Sequence, residues 1–222
     1  MRFLDRLLDA AAFDHDPTPF VAVTIAQSFA DQNVRESDGQ NRGPVVDAIH
    51  ELSEAAGGSG DKEDAAAWCA RFVNVCWYLG GLATGQRVDP AVSRSGSVFY
   101  LMHSTHKRAP ELVTRVDSLK AIDELGTVTK AIRPGDALIR YEMKPEHAAV
   151  DFDDRTRRQT QKGHTELVVR VYEDGTLDTI GGNTDHDTAR EGNGVFFHSK
   201  RYSIHEDRVV GFVRPRFLPF GD

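Results

Sequence analysis

The chain has 222 residues and a formal net charge of −7, with 40% hydrophobic and 27% charged residues. This composition is typical of a globular protein with a buried core. The acidic balance argues against a general nucleic-acid binder, which needs Lys and Arg facing phosphates. No run approaches the roughly 18 apolar residues of a membrane-spanning helix, so we expect no membrane span.

The first part of the chain is predicted to be helical. Residues 2–13 have the pattern of a short amphipathic helix, and residues 14–19 that of a linker. This N-terminus lacks the uninterrupted apolar segment of a secretory signal peptide, which predicts synthesis in the cytoplasm. Two further helices are expected over residues 20–32 and 44–56, separated by a polar loop at 35–43, and Pro44 suits the first turn of the second helix.

The next helix carries the two cysteines of the chain and is predicted to begin near Ala67 or Trp68. Its apolar residues fall at i, i+3, i+4, i+7 and i+10 and form one stripe, namely Cys69, Phe72, Val73, Cys76 and Leu79. Seven helical residues separate the thiols by about 10 Å, too far for a disulfide, so both are expected to be free. The pair Gly80-Gly81 is the predicted C-terminal cap.

The two cysteines have different predicted roles. Cys69 lies in the first helical turn, where the helix dipole and free backbone N–H groups can stabilise a thiolate or a developing oxyanion. Cys76 lies about two turns further along and gains none of this. Most cysteines are small buried hydrophobes, and this is our interpretation of Cys76.

The remainder of the chain is predicted to be mainly β-structure. Residues 86–130 are irregular in pattern, with a helix expected around 110–124 and an insertion near 99–106. Period-two alternation then predicts strands at 136–141, 164–172, 176–181, 194–202 and 208–216, separated by turn residues. Residues 144–163 are predicted to form a loop over the site or a mobile insert. Helices followed by strands indicate an α+β fold with a mostly antiparallel sheet.

Two polar residues mark strand ends in this pattern. His164 follows Gly163 at the start of one predicted strand, and Asn183 follows the end of the next. In a hairpin that turns near Asp174-Gly175, they lie about ten and nine residues from its centre and therefore meet at one end. A histidine beside a helix-start cysteine is a candidate general base, and an asparagine can orient its imidazole. Taken singly, each residue also fits an ordinary structural role.

Several short motifs occur together in a recognisable order. They are Asn41-Arg42-Gly43-Pro44, Trp68-Cys69-Ala70-Arg71-Phe72-Val73, Arg133-Pro134-Gly135-Asp136-Ala137, Gly163-His164-Thr165-Glu166-Leu167-Val168 and Gly182-Asn183-Thr184. In this order they resemble the CHAP branch of papain-like amidohydrolases and peptidases over about residues 34–215. The resemblance implies one catalytic domain over 1–222, with the nucleophile helix packed on the sheet. It also implies cleavage of amide bonds in bacterial cell-wall peptidoglycan, with Cys69 as nucleophile and His164 as base.

The chain departs from that group at one position. Many CHAP domains carry a glutamate two residues before the asparagine, where this chain has Gly181. We therefore assign the orienting role to Asn183 and keep Glu166, which shares the strand face of His164, as the alternative. Asn41 is a candidate for a second oxyanion donor, and Trp68 for lining a substrate groove.

No metal or cofactor is required by this predicted chemistry. The segment His50-Glu51 begins like a zinc-peptidase motif but lacks its second histidine. Asn183, Asp185 and Asp187 alternate as calcium ligands do, but the glycine of a calcium loop is missing. Both metal interpretations are therefore set aside.

Three functions remain open from the sequence. The first is a peptidoglycan amidase or endopeptidase that uses Cys69, His164 and Asn183. The second is a cysteine hydrolase of the same fold acting on another amide or thioester, and the third is a binding module without turnover. The first predicts action in the periplasm or on the cell wall, after export outside the Sec route or after lysis. An immunity or adaptor protein as partner is left unknown.

Overall fold

The computed structural model describes residues 17–37, 41–58, 68–116, 131–142, 163–185, 192–206 and 208–221. The helices in these ranges are α1 (Thr18–Asp31), α2 (Pro44–Ala55), α3 (Cys69–Ala83) and α4 (Val98–Arg108), with a 3₁₀ turn at Pro110–Leu112. The strands are β1 (Gln86–Val88), β2 (Val113–Arg115), β3 (Ala137–Tyr141), β4 (Gly163–Val171), β5 (Thr176–Thr184), β6 (Gly194–Ser203), β7 (Val209–Val213) and β8 (Phe217–Pro219). The α+β class is as predicted. The helix expected at 2–13, most of the linker and the loop at 144–162 lie outside the described residues.

Helix α3 extends further than expected. It continues through Gly80 and Gly81 to Ala83, so the prediction that the glycines cap the helix is wrong. A Cβ on Gly80 would lie 3.0 Å from the Ala22 Cβ, and one on Gly81 would lie 2.8 Å from the Gln86 carbonyl oxygen. The glycines therefore allow α1 and β1 to pack closely against α3.

The helix predicted at 110–124 is wrong over residues 110–115, whereas Val116, the last described residue of that range, is helical. Residues 110–112 form the 3₁₀ turn, and residues 113–115 form β2, which pairs with β7. The α-helix lies earlier, over the residues expected as an insertion. Four of its five buried residues fall at i, i+3, i+4 and i+7, namely Val98, Leu101, Met102 and Thr105, and the fifth is Phe99. The β-branched pair Val113-Thr114 favours extended structure, which ends the helical region. Residues 117–130 lie outside the described part.

Six strands form one antiparallel sheet in the order β2-β7-β3-β4-β5-β6, and β1 and β8 pair separately. The five strands predicted from the sequence correspond to β3–β7. Strand β5 is longer than expected and reaches Thr184. Strand β7 is shorter and ends at Val213, two residues before Pro215, whose nitrogen cannot donate to a ladder.

The sheet has an apolar cluster on each face. Helix α3 packs on α1, β4 and β5, and its Phe72 and Trp77 share one cluster with Leu167 and Ile180. The other cluster includes Leu138, Val168, Leu177, Phe212 and Tyr202. Because side chains alternate along a strand, Glu166 lies on the same face of β4 as Val168. Within the described ranges, no helix is long and apolar enough to cross a membrane.

Candidate active site

Cys69 is the first residue of α3 and therefore lies in its first turn, as the sequence predicts. The first hydrogen bond of this helix runs from the Phe72 N–H to the Trp68 carbonyl, at 2.8 Å. The N–H of Cys69 therefore precedes the helical hydrogen bonds, as the first donors of a helix do. The cysteine is 2% exposed. The sulfur thus lies in a nearly water-free position beside backbone donors.

Cys76 differs from Cys69 in its surroundings. It is fully buried in the apolar core beneath α3. Burial raises the pKa of the Cys76 thiol well above its ordinary value, because a thiolate has no solvent or charge to stabilise it there. The core role predicted for Cys76 is confirmed.

Two residues predicted to line the site instead brace the nucleophile turn. Trp68 is fully buried, so its ring has no surface left for a substrate, and its Nε1 donates to Glu36 Oε1 at 3.0 Å. The other oxygen of Glu36 accepts the backbone N–H of Asn41, also at 3.0 Å. The loop containing Asn41 is therefore tied through one carboxylate to the residue preceding Cys69.

His164 lies near the start of β4 and bridges two groups. Its Nε2 lies 3.0 Å from Glu166 Oε1. It also interacts with Cys69 through a side-chain hydrogen bond and through charge. Burial alone would lower the pKa of His164, but the hydrogen bonds and charges of Cys69 and Glu166 raise it to about 10. The imidazole therefore holds its proton at neutral pH.

Glu166 lies at the centre of the polar cluster and is fully buried. Oε1 accepts the Tyr202 hydroxyl at 2.7 Å as well as His164. Oε2 accepts the Thr179 hydroxyl at 2.6 Å and lies 2.9 Å from His198 Nδ1. Burial would raise the pKa of Glu166, but the hydrogen bonds from His164 and His198 hold it well below the usual range. The carboxylate stays ionised.

His198 links Glu166 to the backbone of Asp185. Its Nε2 lies 2.9 Å from the Asp185 carbonyl oxygen and 2.6 Å from Arg201 Nη1, and Arg201 Nη1 also donates to the Asp185 carbonyl at 2.8 Å. Because an ionised carboxylate only accepts hydrogen bonds, His198 donates to Glu166 through Nδ1.

Asn183 lies at the end of the hairpin where the sequence predicts it, but it makes no hydrogen bond to the imidazole among the described residues. It is 7% exposed, and its Oδ1 has no hydrogen-bond partner in the described part of the chain. The register that pairs Leu167 with Ile180 does place His164 and Asn183 at the same end of the hairpin. No hydrogen bond between them occurs among the described residues. Among the described residues, Glu166 is the side chain with a hydrogen bond to the imidazole Nε2.

A glycine brings β5 close to the nucleophile turn. A Cβ on Gly182 would lie 2.5 Å from Cζ3 of Trp68 and 2.7 Å from Cγ of Phe72. Any side chain at this position would push the strand away from the start of α3. Gly182 therefore sets the spacing between the Cys69 turn and the β4–β5 hairpin.

Three residues around Glu166 were not found from the sequence, namely Thr179, His198 and Tyr202. Alternation along β5 puts Thr179 and Gly181 on one face, which is a usable signal. The positions on β6 give no such signal, because the β5–β6 register shifts between Leu177 and Thr179.

The described residues include no group of three His, Cys, Asp or Glu side chains placed to hold a metal ion. Asp187, the third member of the calcium pattern considered from the sequence, lies outside the described ranges. Asp185 uses its backbone carbonyl to accept from Arg201.

The arrangement provides the groups that nucleophilic catalysis requires. A thiol contacts an imidazole, the imidazole contacts an ionised carboxylate, and backbone N–H groups lie beside the thiol. Searches of protein-family models, curated proteins and solved structures find no match to this chain.

Proposed function

We propose that the chain is a CHAP-type, papain-like cysteine hydrolase that cleaves amide bonds in bacterial peptidoglycan as an amidase or endopeptidase. The observation that carries this proposal is His164, hydrogen bonded to both Cys69 and Glu166. The order of the sequence motifs supports the substrate class. The wall of a bacterium is the expected place of action.

The first chemical step forms a covalent intermediate. The Cys69 sulfur, whose proton His164 holds, attacks the carbonyl carbon of the amide. The developing oxyanion accepts from the Cys69 N–H at the start of α3. His164 then donates its proton to the leaving nitrogen, the C–N bond breaks, and an amine and a thioester remain.

The second step releases the acyl group. Neutral His164 removes a proton from a water molecule, which attacks the thioester carbon. The C–S bond breaks, the product leaves as a carboxylic acid, and the thiolate–imidazolium pair returns. Throughout, Glu166 keeps the imidazole oriented and stabilises its positive charge, as an acidic third member does in catalytic triads.

Digestion of purified peptidoglycan sacculi, with mass spectrometry of the released fragments, tests this function. We expect new fragments from the wild-type protein and none from Cys69→Ala, which lacks the nucleophile. Cys76→Ala is the matched control, because it removes the other buried thiol and should still release fragments. The fragment masses identify the bond that is cut.

The alternatives have distinct outcomes in the same experiment. Equal fragment release by wild type and Cys69→Ala would disprove the mechanism. No release by a protein whose Cys69 still reacts with iodoacetamide at mildly acidic pH would redirect the search to other amides or thioesters. No release together with an unreactive Cys69 would favour a binding module.

A further inference from the structure

Residue 181 lies beside Glu166 on the neighbouring strand. The register that pairs Leu167 with Ile180 places Glu166 opposite Gly181 at the next position. A Cβ on Gly181 would lie 2.6 Å from Glu166 Cγ and 2.8 Å from Glu166 Cδ. The Glu166 side chain therefore occupies the volume that any side chain on residue 181 would need.

A glutamate at position 181 would be long enough to reach the position of the Glu166 carboxylate. Two C–C bonds at a tetrahedral angle span about 2.5 Å, which is the distance from a glutamate Cβ to its carboxyl carbon. The Cβ position of residue 181 lies 2.8 Å from the carboxyl carbon of Glu166. A glutamate at residue 166 or at residue 181 can thus place its carboxylate at nearly the same point.

The donors around this point come from three strands. His164 lies on β4, Thr179 on β5, and His198 and Tyr202 on β6. Their hydrogen-bonding groups converge on the two carboxylate oxygens. Three of the four donors lie on β5 and β6 and not on the strand of Glu166, so the position that they define does not depend on residue 166 alone.

We propose that the carboxylate that positions His164 is specified by its four hydrogen-bond donors and not by the residue that bears it. Glu166 supplies the carboxylate in this chain because Gly181 leaves the volume open, and a glutamate at 181 would supply it if the Glu166 side chain were removed. Glu166 and Gly181 are therefore one coupled feature. The inference rests on the proposed function and deepens it by stating what fixes the position of the carboxylate.

The test measures the reactivity of Cys69, which needs no substrate. Alkylation of Cys69 by iodoacetamide is followed by mass spectrometry from about pH 5 to pH 9, a range below and above an ordinary thiol pKa. We expect Glu166→Ala to slow alkylation at about pH 5.5 by at least about tenfold, because an unanchored imidazolium no longer stabilises the thiolate. The double variant Glu166→Ala/Gly181→Glu should recover most of that loss and the acidic limb of the profile.

The matched control is Glu166→Ala/Gly181→Gln, which has the same shape as the double variant without the charge. It should stay as slow as Glu166→Ala. Equal rates for the glutamate and glutamine double variants would overturn the inference. Failure of wild-type Cys69 to react at mildly acidic pH would instead count against the proposed function, so the two failures are distinguishable.

A second measurement tests the inference if the double variant does not fold. Formate added to Glu166→Ala supplies a carboxylate with no attachment to either strand. Saturable recovery of Cys69 alkylation with formate, and none with formamide, is the expected result. If formate did not restore Cys69 alkylation, the result would contradict a carboxylate position defined by the four donors.

Discussion

Two buried carboxylates in this protein have opposite surroundings. Glu166 is fully buried, and Asp136 is 2% exposed. Asp136 precedes β3 and is held by the Arg214 guanidinium at 3.0 Å and by the Arg133 N–H at 2.9 Å. Burial raises the pKa of Asp136 even with Arg214 beside it, whereas the pKa of Glu166 is lowered despite its burial.

The two carboxylates differ in whether their hydrogen-bonding partners can gain or lose a proton. A guanidinium stays protonated at every accessible pH, so Asp136 and Arg214 form a structural ion pair between the start of β3 and the end of β7. Glu166 instead contacts two histidines, His164 and His198, whose ring nitrogens can donate or accept a proton. A buried carboxylate therefore marks a candidate site only when its partners can exchange protons.

The largest expected effect comes from neutralising each carboxylate in turn. Glu166→Gln should lower the hydrolysis rate by about 10²–10⁴-fold, the contribution typical of positioned acid–base catalysis. Asp136→Asn removes the carboxylate beside Arg214, whose side chain is 28% exposed, and should cost about 1–3 kcal/mol of unfolding free energy. Its folded fraction should keep its activity. Initial rates of hydrolysis and urea unfolding measure the activity and the stability of each variant. Equal losses of activity in Glu166→Gln and Asp136→Asn would contradict the distinction between the two carboxylates.

The pH dependence of hydrolysis gives the next effect. His164 must be protonated to donate to the leaving nitrogen, and its raised pKa keeps it so up to about pH 10. Activity should therefore fall as the pH rises through about 10, which is well above the pKa of an ordinary histidine. In Glu166→Gln the lost negative charge should move this alkaline limb toward neutral pH. An unmoved limb would show that Glu166 does not support the imidazolium.

A smaller effect is expected from one donor to the carboxylate. Tyr202→Phe removes the hydroxyl that Glu166 Oε1 accepts, and a single hydrogen bond contributes about 1 kcal/mol, equivalent to about a fivefold loss of rate. Tyr172→Phe is the matched control, because its hydroxyl donates to Asp178 Oδ2 at 2.8 Å outside the site. Equal losses in the two variants would contradict a specific role for Tyr202.

The smallest effect should come from the asparagine. Asn183→Gly removes the amide but suits the backbone, since residue 183 has φ 56° and glycine adopts positive φ at little cost. We expect a smaller loss of hydrolysis than in Tyr202→Phe, because Asn183 Oδ1 has no hydrogen-bond partner in the described part of the chain. A loss as large as that of Glu166→Gln would restore Asn183 as the orienting group.

The helical half of the site could be predicted from local pattern. Cys69 falls at the start of an apolar stripe, and the structure begins α3 at that residue. Whether Gly80 ends the helix or lies within it could not be predicted, because glycine occurs both at helix caps and where helices pack closely. Only the position of Ala22 on another helix, 3.0 Å from a Cβ on Gly80, decides between them.

The β half of the site required information that a sequence does not contain. The role of Glu166 depends on the absence of a side chain at Gly181 across the strand, and on register. Its partners His198 and Tyr202 lie 32 and 36 residues away in the chain. Bulges in the β5–β6 ladder shift the register that would align them. Asn183 fits the sequence pattern equally well, and only the folded geometry separates it from Glu166.

The most direct measurement compares the two cysteines of the wild-type protein in one sample. Treatment with iodoacetamide at about pH 5.5, where an ordinary thiol is almost fully protonated, is followed by mass spectrometry of the Cys69 and Cys76 peptides. The account predicts that Cys69 is alkylated, that Cys76 stays unmodified, and that His164→Ala abolishes the reaction of Cys69. A Cys69 that reacts no faster than Cys76, or equally fast without His164, would contradict the central claim.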